Sequence, residues 1–188
     1  MTHVNDASMI VGRRAVAFAS TQQRGSWATL GVMTAVERLV AEVAARADWE
    51  ALPAETAAWE PLPQELPDDL VAFARICGGI RTPKGLVIAQ CLRHAQQAIL
   101  GEKHPEDRSF HWYVIAEDDM TGTAERAVID FHPARRGRCY DAFWDSFAVA
   151  GSMGVAATSF TDFLTRVIEA GGAAYWSGHA LGMGDAYD

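Results

Sequence analysis

The sequence predicts one α+β domain with an antiparallel meander. Three observations carry that expectation. Apolar residues recur at helical spacing in two segments, over 33–47 and 160–168. Two runs rich in aromatic and β-branched residues, His111 to Ala116 and Arg126 to Phe131, have strand character. The connections between the strand-like runs are short, which permits antiparallel neighbours and excludes a crossover.

Met33, Val36, Val40, Val43 and Ala47 share one helical face, opposite Glu37, Arg38, Glu42 and Arg46. Thr34 and Glu37 have capping-box spacing, which marks the start of that helix. From Trp49 to Pro67 the prolines 53, 61, 63 and 67 remove backbone donors, and the stretch is read as an extended connector. A second helix is predicted from Pro67, with Asp68 and Asp69 at the positive end of its dipole. Leu66, Leu70, Phe73 and Cys77 form its buried face, and Gly78-Gly79 is its stop. In the last helix Phe160, Phe163, Leu164, Val167 and Ile168 face a core, Ser159 is the cap and Gly171-Gly172 the end.

Gly85 to Ala89 is read as a buried strand, followed by a short helix carrying Leu92, Ala95 and Ile99 before Gly101. The polar loop Glu117 to Ala124 joins the two central strands as a hairpin. In the second of them Ala127, Ile129 and Phe131 alternate with Arg126, Val128 and Asp130, as expected of a sheet with one drier side. The turn Pro133 to Arg136 leads to a third strand, Gly137 to Trp144.

Composition narrows the function classes. With 49% hydrophobic and 21% charged residues, 188 residues can bury a core without disulfides or metal. A formal charge of −8, from 24 acidic and 16 basic residues, disfavours nucleic acid and suits a basic partner or plain solubility. Cys77, Cys91 and Cys139 are odd in number and widely spaced, as reduced structural thiols are. The apolar run after Arg13-Arg14 is shorter than the roughly 7–15 residues of a signal h-region, and no stretch approaches the ~18 apolar residues of a membrane span. A cytoplasmic protein without membrane association is expected.

The search for chemistry returns no catalytic residues, metal ligands or cofactor. Gly151-Ser152-Met153-Gly154 approximates a nucleophile elbow, with Asp162 and His179 following in hydrolase order. Only 36 residues follow Ser152, too few to surround it with a hydrolase sheet. The six histidines form no H-E-x-x-H or comparable pair. Glu117, Asp118, Asp119 and Gly122 imitate part of a calcium loop, but Val128 stands where its bidentate Glu is required. What remains is contact chemistry. Large aromatic residues such as Trp144 could anchor a partner, and Glu117, Asp118 and Asp119 at one hairpin end face Arg135 and Arg136 at another as charged contact candidates.

The run Leu66-Pro67-Asp68-Asp69-Leu70-Val71-Ala72-Phe73 leading to Gly78-Gly79, then Trp112 to Ala116, Val128-Ile129-Asp130-Phe131 and Ser159-Phe160-Thr161-Asp162-Phe163-Leu164, resembles the SUKH superfamily in order and spacing. That superfamily joins bacterial toxin-immunity proteins and a fungal cell-wall-assembly regulator. The chain departs from its pattern at Cys77, where Asn is usual, and near Ala124, where an acidic residue is. The resemblance is strongest over 49–172. It implies a mainly antiparallel or mixed sheet with helices packed on one side, no catalytic residues, and the binding and neutralisation of a protein toxin, with a cationic nuclease suiting the acidic charge. A regulator or scaffold with an endogenous partner is the alternative, and a small hydrolase using Ser152 the third reading. The expected organisation is a loosely ordered arm over 1–32, one domain over 33–176 and a mobile tail over 177–188. Oligomeric state and partner identity are not written in the sequence.

Overall fold

The computed structural model describes residues 33–60, 62, 65–118, 125–177 and 182–188. The arm over 1–32 lies outside the described residues, as do Asp119 to Ala124 and Gly178 to Leu181. The fold is α+β: the described residues form seven strands in one open antiparallel sheet and four α-helices.

Helix α1 spans Ala35–Ala44 and opens on the expected capping box. Thr34 Oγ1 accepts from the Glu37 N–H at 3.3 Å, and the Glu37 carboxylate accepts from the Thr34 N–H at 2.7 Å. Helix α2 spans Asp68–Ile76, with Pro67 one residue ahead at the cap. Helix α4, Phe160–Glu169, buries the five residues its spacing predicts. Asp69 ties α2 to α4, its carboxylate accepting from the Thr161 N–H at 2.8 Å and hydroxyl at 2.9 Å, so that it occupies the positive end of α4.

The strands are β1 (Glu50–Leu52), β2 (Gly79–Arg81), β3 (Leu86–His94), β4 (Trp112–Asp118), β5 (Arg126–Asp130), β6 (Cys139–Asp141) and β7 (Val155–Ala157). They lie side by side in chain order, each antiparallel to the next. Three of them were not legible. β1 lies inside the stretch read as a connector, β2 begins on Gly79, read as part of a helix stop, and β7 lies in a stretch for which the sequence predicts no element. Strands of three residues are too short to display alternation, and each exists because a neighbour supplies its ladder.

Gly78 and Gly79 act differently from the expected left-handed helix stop. α2 ends on an extended Cys77, and the glycines let the chain pass close to its neighbours. A Cβ on Gly78 would stand 2.1 Å from the Pro53 carbonyl oxygen, in the 3-10 turn Ala54–Thr56 region, and one on Gly79 (φ +148°) 2.8 Å from Gln90 Cα. Leu92 also departs from expectation. It belongs to β3, whose end pairs Arg93 with Val114 and His94 with Tyr113, and helix α3 begins only at Ala95, running to Ile99. Ladder bonds to β4 outweigh the local helical spacing. β3 bulges between Ile88 and Arg93, where Ala89 takes φ 51° and its carbonyl accepts from Trp59 Nε1 at 2.9 Å.

Helices α1, α2 and α4 share one core with the sheet face bearing Ile80, Ile88, Ile115, Ile129 and Phe131. Phe73 meets Phe160 edge to face there, with ring centroids 5.0 Å apart. The expected drier side is this one, but the opposite face is covered too. Trp112, Val114, Val128 and Tyr140 lie beneath Ala95 of α3, Phe147, Met153 and Ala186. Within the stretch read as a mobile tail, residues 182–188 provide part of that cover. The Val155 N–H donates to the Gly184 carbonyl at 3.0 Å and the Ala186 N–H to the Met153 carbonyl at 2.8 Å, covering part of the outer edge of β7.

Candidate partner-binding surface

β4 ends, β5 begins and β6 ends at the same end of the sheet, because each pairs antiparallel with the next. Glu117 pairs across the ladder with Arg126, and the Ala142 N–H donates to the Arg126 carbonyl at 2.9 Å. The chain leaving β6 therefore emerges beside Glu117 and Asp118. It forms the loop 143–152, a series of turns in which the Ser146, Val149 and Ser152 N–H groups donate to the carbonyls of Phe143, Ser146 and Val149, each at 3.1 Å.

That loop is held from below. Phe147 and Met153 are buried, and Tyr187 Oη donates to the Ala148 carbonyl at 3.1 Å, where Ala148 takes φ 62°. The Met153 N–H donates to the Asp185 carboxylate at 2.9 Å. With the backbone so fixed, the loop presents Phe143, Trp144 and Val149 outward at 38%, 57% and 50% exposure. The Phe143 and Trp144 rings lean together with centroids 6.3 Å apart. The other described tryptophans are used internally: Trp112 and Trp176 are buried and donate through their indoles, Trp59 pins the β3 bulge, and Trp49 lies beneath the Arg46 guanidinium.

Carboxylates share this end of the sheet. Asp145 is exposed within the loop, and Asp118 and Glu125 lie across the hairpin end, where the Asp118 N–H donates to the Glu125 carbonyl at 3.3 Å. Asp141 stands at the base of the loop and accepts from the Phe143 N–H at 3.2 Å. Burial pushes its carboxyl up to about 6, with Glu125 adding to the shift and the Phe143 and Ala142 N–H groups opposing it.

The five described residues among those expected to make partner contacts lie toward two ends of the sheet. Glu117 is engaged within the fold by Arg93 and, at 3.8 Å, by Arg126. Asp118 and Trp144 lie at the same end, and Asp119 falls outside the described residues. Arg135 and Arg136 follow the far end of β5, roughly 13 Å away along a five-residue strand. Arg136 pairs with Glu65 at 3.2 Å. Arg135 donates from Nε at 2.8 Å to the fully buried carboxylate of Asp130, which also accepts from Trp112 Nε1 (3.1 Å), the His132 N–H (2.7 Å) and Tyr140 Oη (3.2 Å). This buried network escaped the sequence reading. The signal for it was a carboxylate alternating with apolar residues in a strand.

Of the residues weighed for hydrolysis, the two described ones are set in different parts of the fold. Ser152 is exposed on the loop beside one sheet face, while Asp162 lies in α4 and is occupied by Thr158 and Arg166. His179 lies outside the described residues, as does most of the calcium-like loop. Among the described residues no three His, Cys, Asp or Glu side chains are grouped to hold a metal ion, and no helix is long and apolar enough to cross a membrane.

Immunity protein YokJ of Bacillus subtilis (strain 168) is 32% identical to this chain over 161 residues, covering 81% of the chain and 96% of that protein. The chain belongs to the YokJ immunity-protein family. No family model matches it, and no solved structure does. The match spans nearly the whole of YokJ, so the likeness is to a complete protein and not to a shared fragment.

Proposed function

We propose that this chain is a non-enzymatic immunity protein of the SUKH superfamily that binds and neutralises a cognate toxin in the cytoplasm. The likeness to YokJ, named as an immunity protein, is the observation that carries the reading. The toxin is a basic, nuclease-type protein. The charge of −8 supports that choice, because an acidic binder gains association rate with a cationic partner and loses it with nucleic acid. Contact residues are Asp118 and Trp144, at one end of the sheet, and Asp119, with Glu117, Arg135 and Arg136 acting through the ion pairs that shape their surroundings.

Co-expression tests the reading. The toxin encoded beside this chain's gene is induced in a susceptible host with and without the chain, and the two proteins are then co-purified. Restored growth together with a stable complex is the expected result. Growth arrest despite soluble chain, with every toxin encoded beside it, overturns the reading.

A further inference from the structure

We propose that the loop carrying Phe143, Trp144 and Val149 is the anchor of the partner-binding face, and that it receives a cationic protein segment held by Asp141 and Asp145. The inference rests on the immunity reading and deepens it by naming the surface and the chemistry of what docks there.

Exposure is concentrated at this place. Of the six large hydrophobic side chains exposed among the described residues, three fall within the seven residues 143–149, and Met33, Ile76 and Leu100 are scattered. Trp144 is the most exposed of the six. Leaving two adjoining aromatic rings and a valine of the same loop in water forgoes favourable burial, and exposed apolar side chains gathered in one place are an ordinary mark of a contact site. The loop is also prepared for contact. Its turns, its buried Phe147 and Met153, and the Tyr187 hydroxyl beneath Ala148 fix the backbone before any partner arrives, so little ordering remains to be done on binding.

Charge selects the occupant. At this end of the sheet Arg93 and Arg126 are turned to Glu117, while Glu125, Asp141 and Asp145 add carboxylates, the last exposed next to Trp144 in the loop. Glu125 is partly engaged by Ser177, whose hydroxyl donates to it at 2.8 Å. An acidic partner or a second acidic copy of the chain would meet like charge here, whereas a lysine- or arginine-bearing segment gains from each carboxylate and from the faces of the aromatic rings.

The test uses the full chain and an inactivated form of the toxin encoded beside its gene, with association and dissociation followed at low and high salt. Trp144→Ala is expected to weaken binding at least ~30-fold, mainly through faster dissociation, with Val149→Ser as a milder second variant. Asp145→Asn and Asp145→Lys are expected to slow association in that order, by up to about 10-fold at low salt and less at high salt. Leu100→Ala, exposed elsewhere, is expected to change affinity less than about twofold. Thermal melts of each variant separate lost contact from lost fold. If wild type binds and protects while the Trp144, Val149 and aspartate variants match it, the surface is wrong and the immunity reading stands. If wild type neither binds nor protects, both fall. Self-association abolished by Trp144→Ala with toxin affinity unchanged assigns the loop to a second copy and overturns the inference.

Discussion

Replacing Asp130 by alanine removes the only carboxylate of the buried network at the turn after β5. Asp130 is 0% exposed and accepts from Trp112 Nε1, the His132 N–H, Arg135 Nε and Tyr140 Oη. Its loss leaves the Arg135 side chain, 14% exposed, without its counter-charge and two aromatic donors without an acceptor in a dry core. Breaking a buried ion pair from one side costs roughly 3–5 kcal/mol. Arg135 lies near the surface and can turn toward water, which places the loss at about 3–4 kcal/mol. For a domain of this size that lowers Tm by roughly 6–16 °C. Thermal and urea unfolding at neutral pH measure it. A double-mutant cycle with Arg135→Ala should give coupling of about 1–3 kcal/mol, because removing both charges spares the orphaned one. A loss below about 1 kcal/mol for Asp130→Ala, or strict additivity in the cycle, refutes the view that this carboxylate organises the turn.

Further outcomes follow from single residues. Asp141, pushed up by burial to about 6 from an ordinary 3.8, favours folding in its protonated form; that contribution is complete below about pH 4 and lost as pH rises through about 6. Asp141→Asn should therefore stabilise the fold by about 1–2 kcal/mol at pH 8, after allowance for solvent screening, and not at pH 4, as paired denaturation curves would show. Gly78→Ala must displace the Pro53 carbonyl and Thr56 hydroxyl, 2.1 and 2.4 Å from the new Cβ, and should cost at least about 1–3 kcal/mol in urea unfolding. Ser152→Ala, at an exposed loop position, should leave stability within about 0.5 kcal/mol and toxin protection intact, and a loss of protection would reopen the hydrolase reading.

What could be read from the sequence is what local chemistry decides. The capping box at Thr34 and Glu37, the Ser159 cap and the five-residue apolar face of α4 each depend on groups within one or two turns of each other, so their spacing suffices. The central strands were legible because β4 and β5 are long enough to show their residue preferences and are joined by a short loop. Trp144 was named as a contact candidate from residue type alone, together with charges that the fold puts to other uses.

Long-range geometry decided the rest. Whether a tryptophan is buried depends on what covers it, and nothing near Trp112 or Trp144 in the chain says that the first lies beneath Phe147 and Tyr187 while the second faces outward. The pairing of Glu117 with Arg93 joins residues 24 apart, and Tyr187 reaches Ala148 across 39. The sequence by itself determined the class of fold, the principal helices and the acidic character of the molecule, because those follow from composition and short-range spacing. Only the tertiary structure decided which faces of the sheet are dry, which charges cancel within the fold and which loop is held out, because burial and ion pairing belong to segments that meet only after the chain has folded.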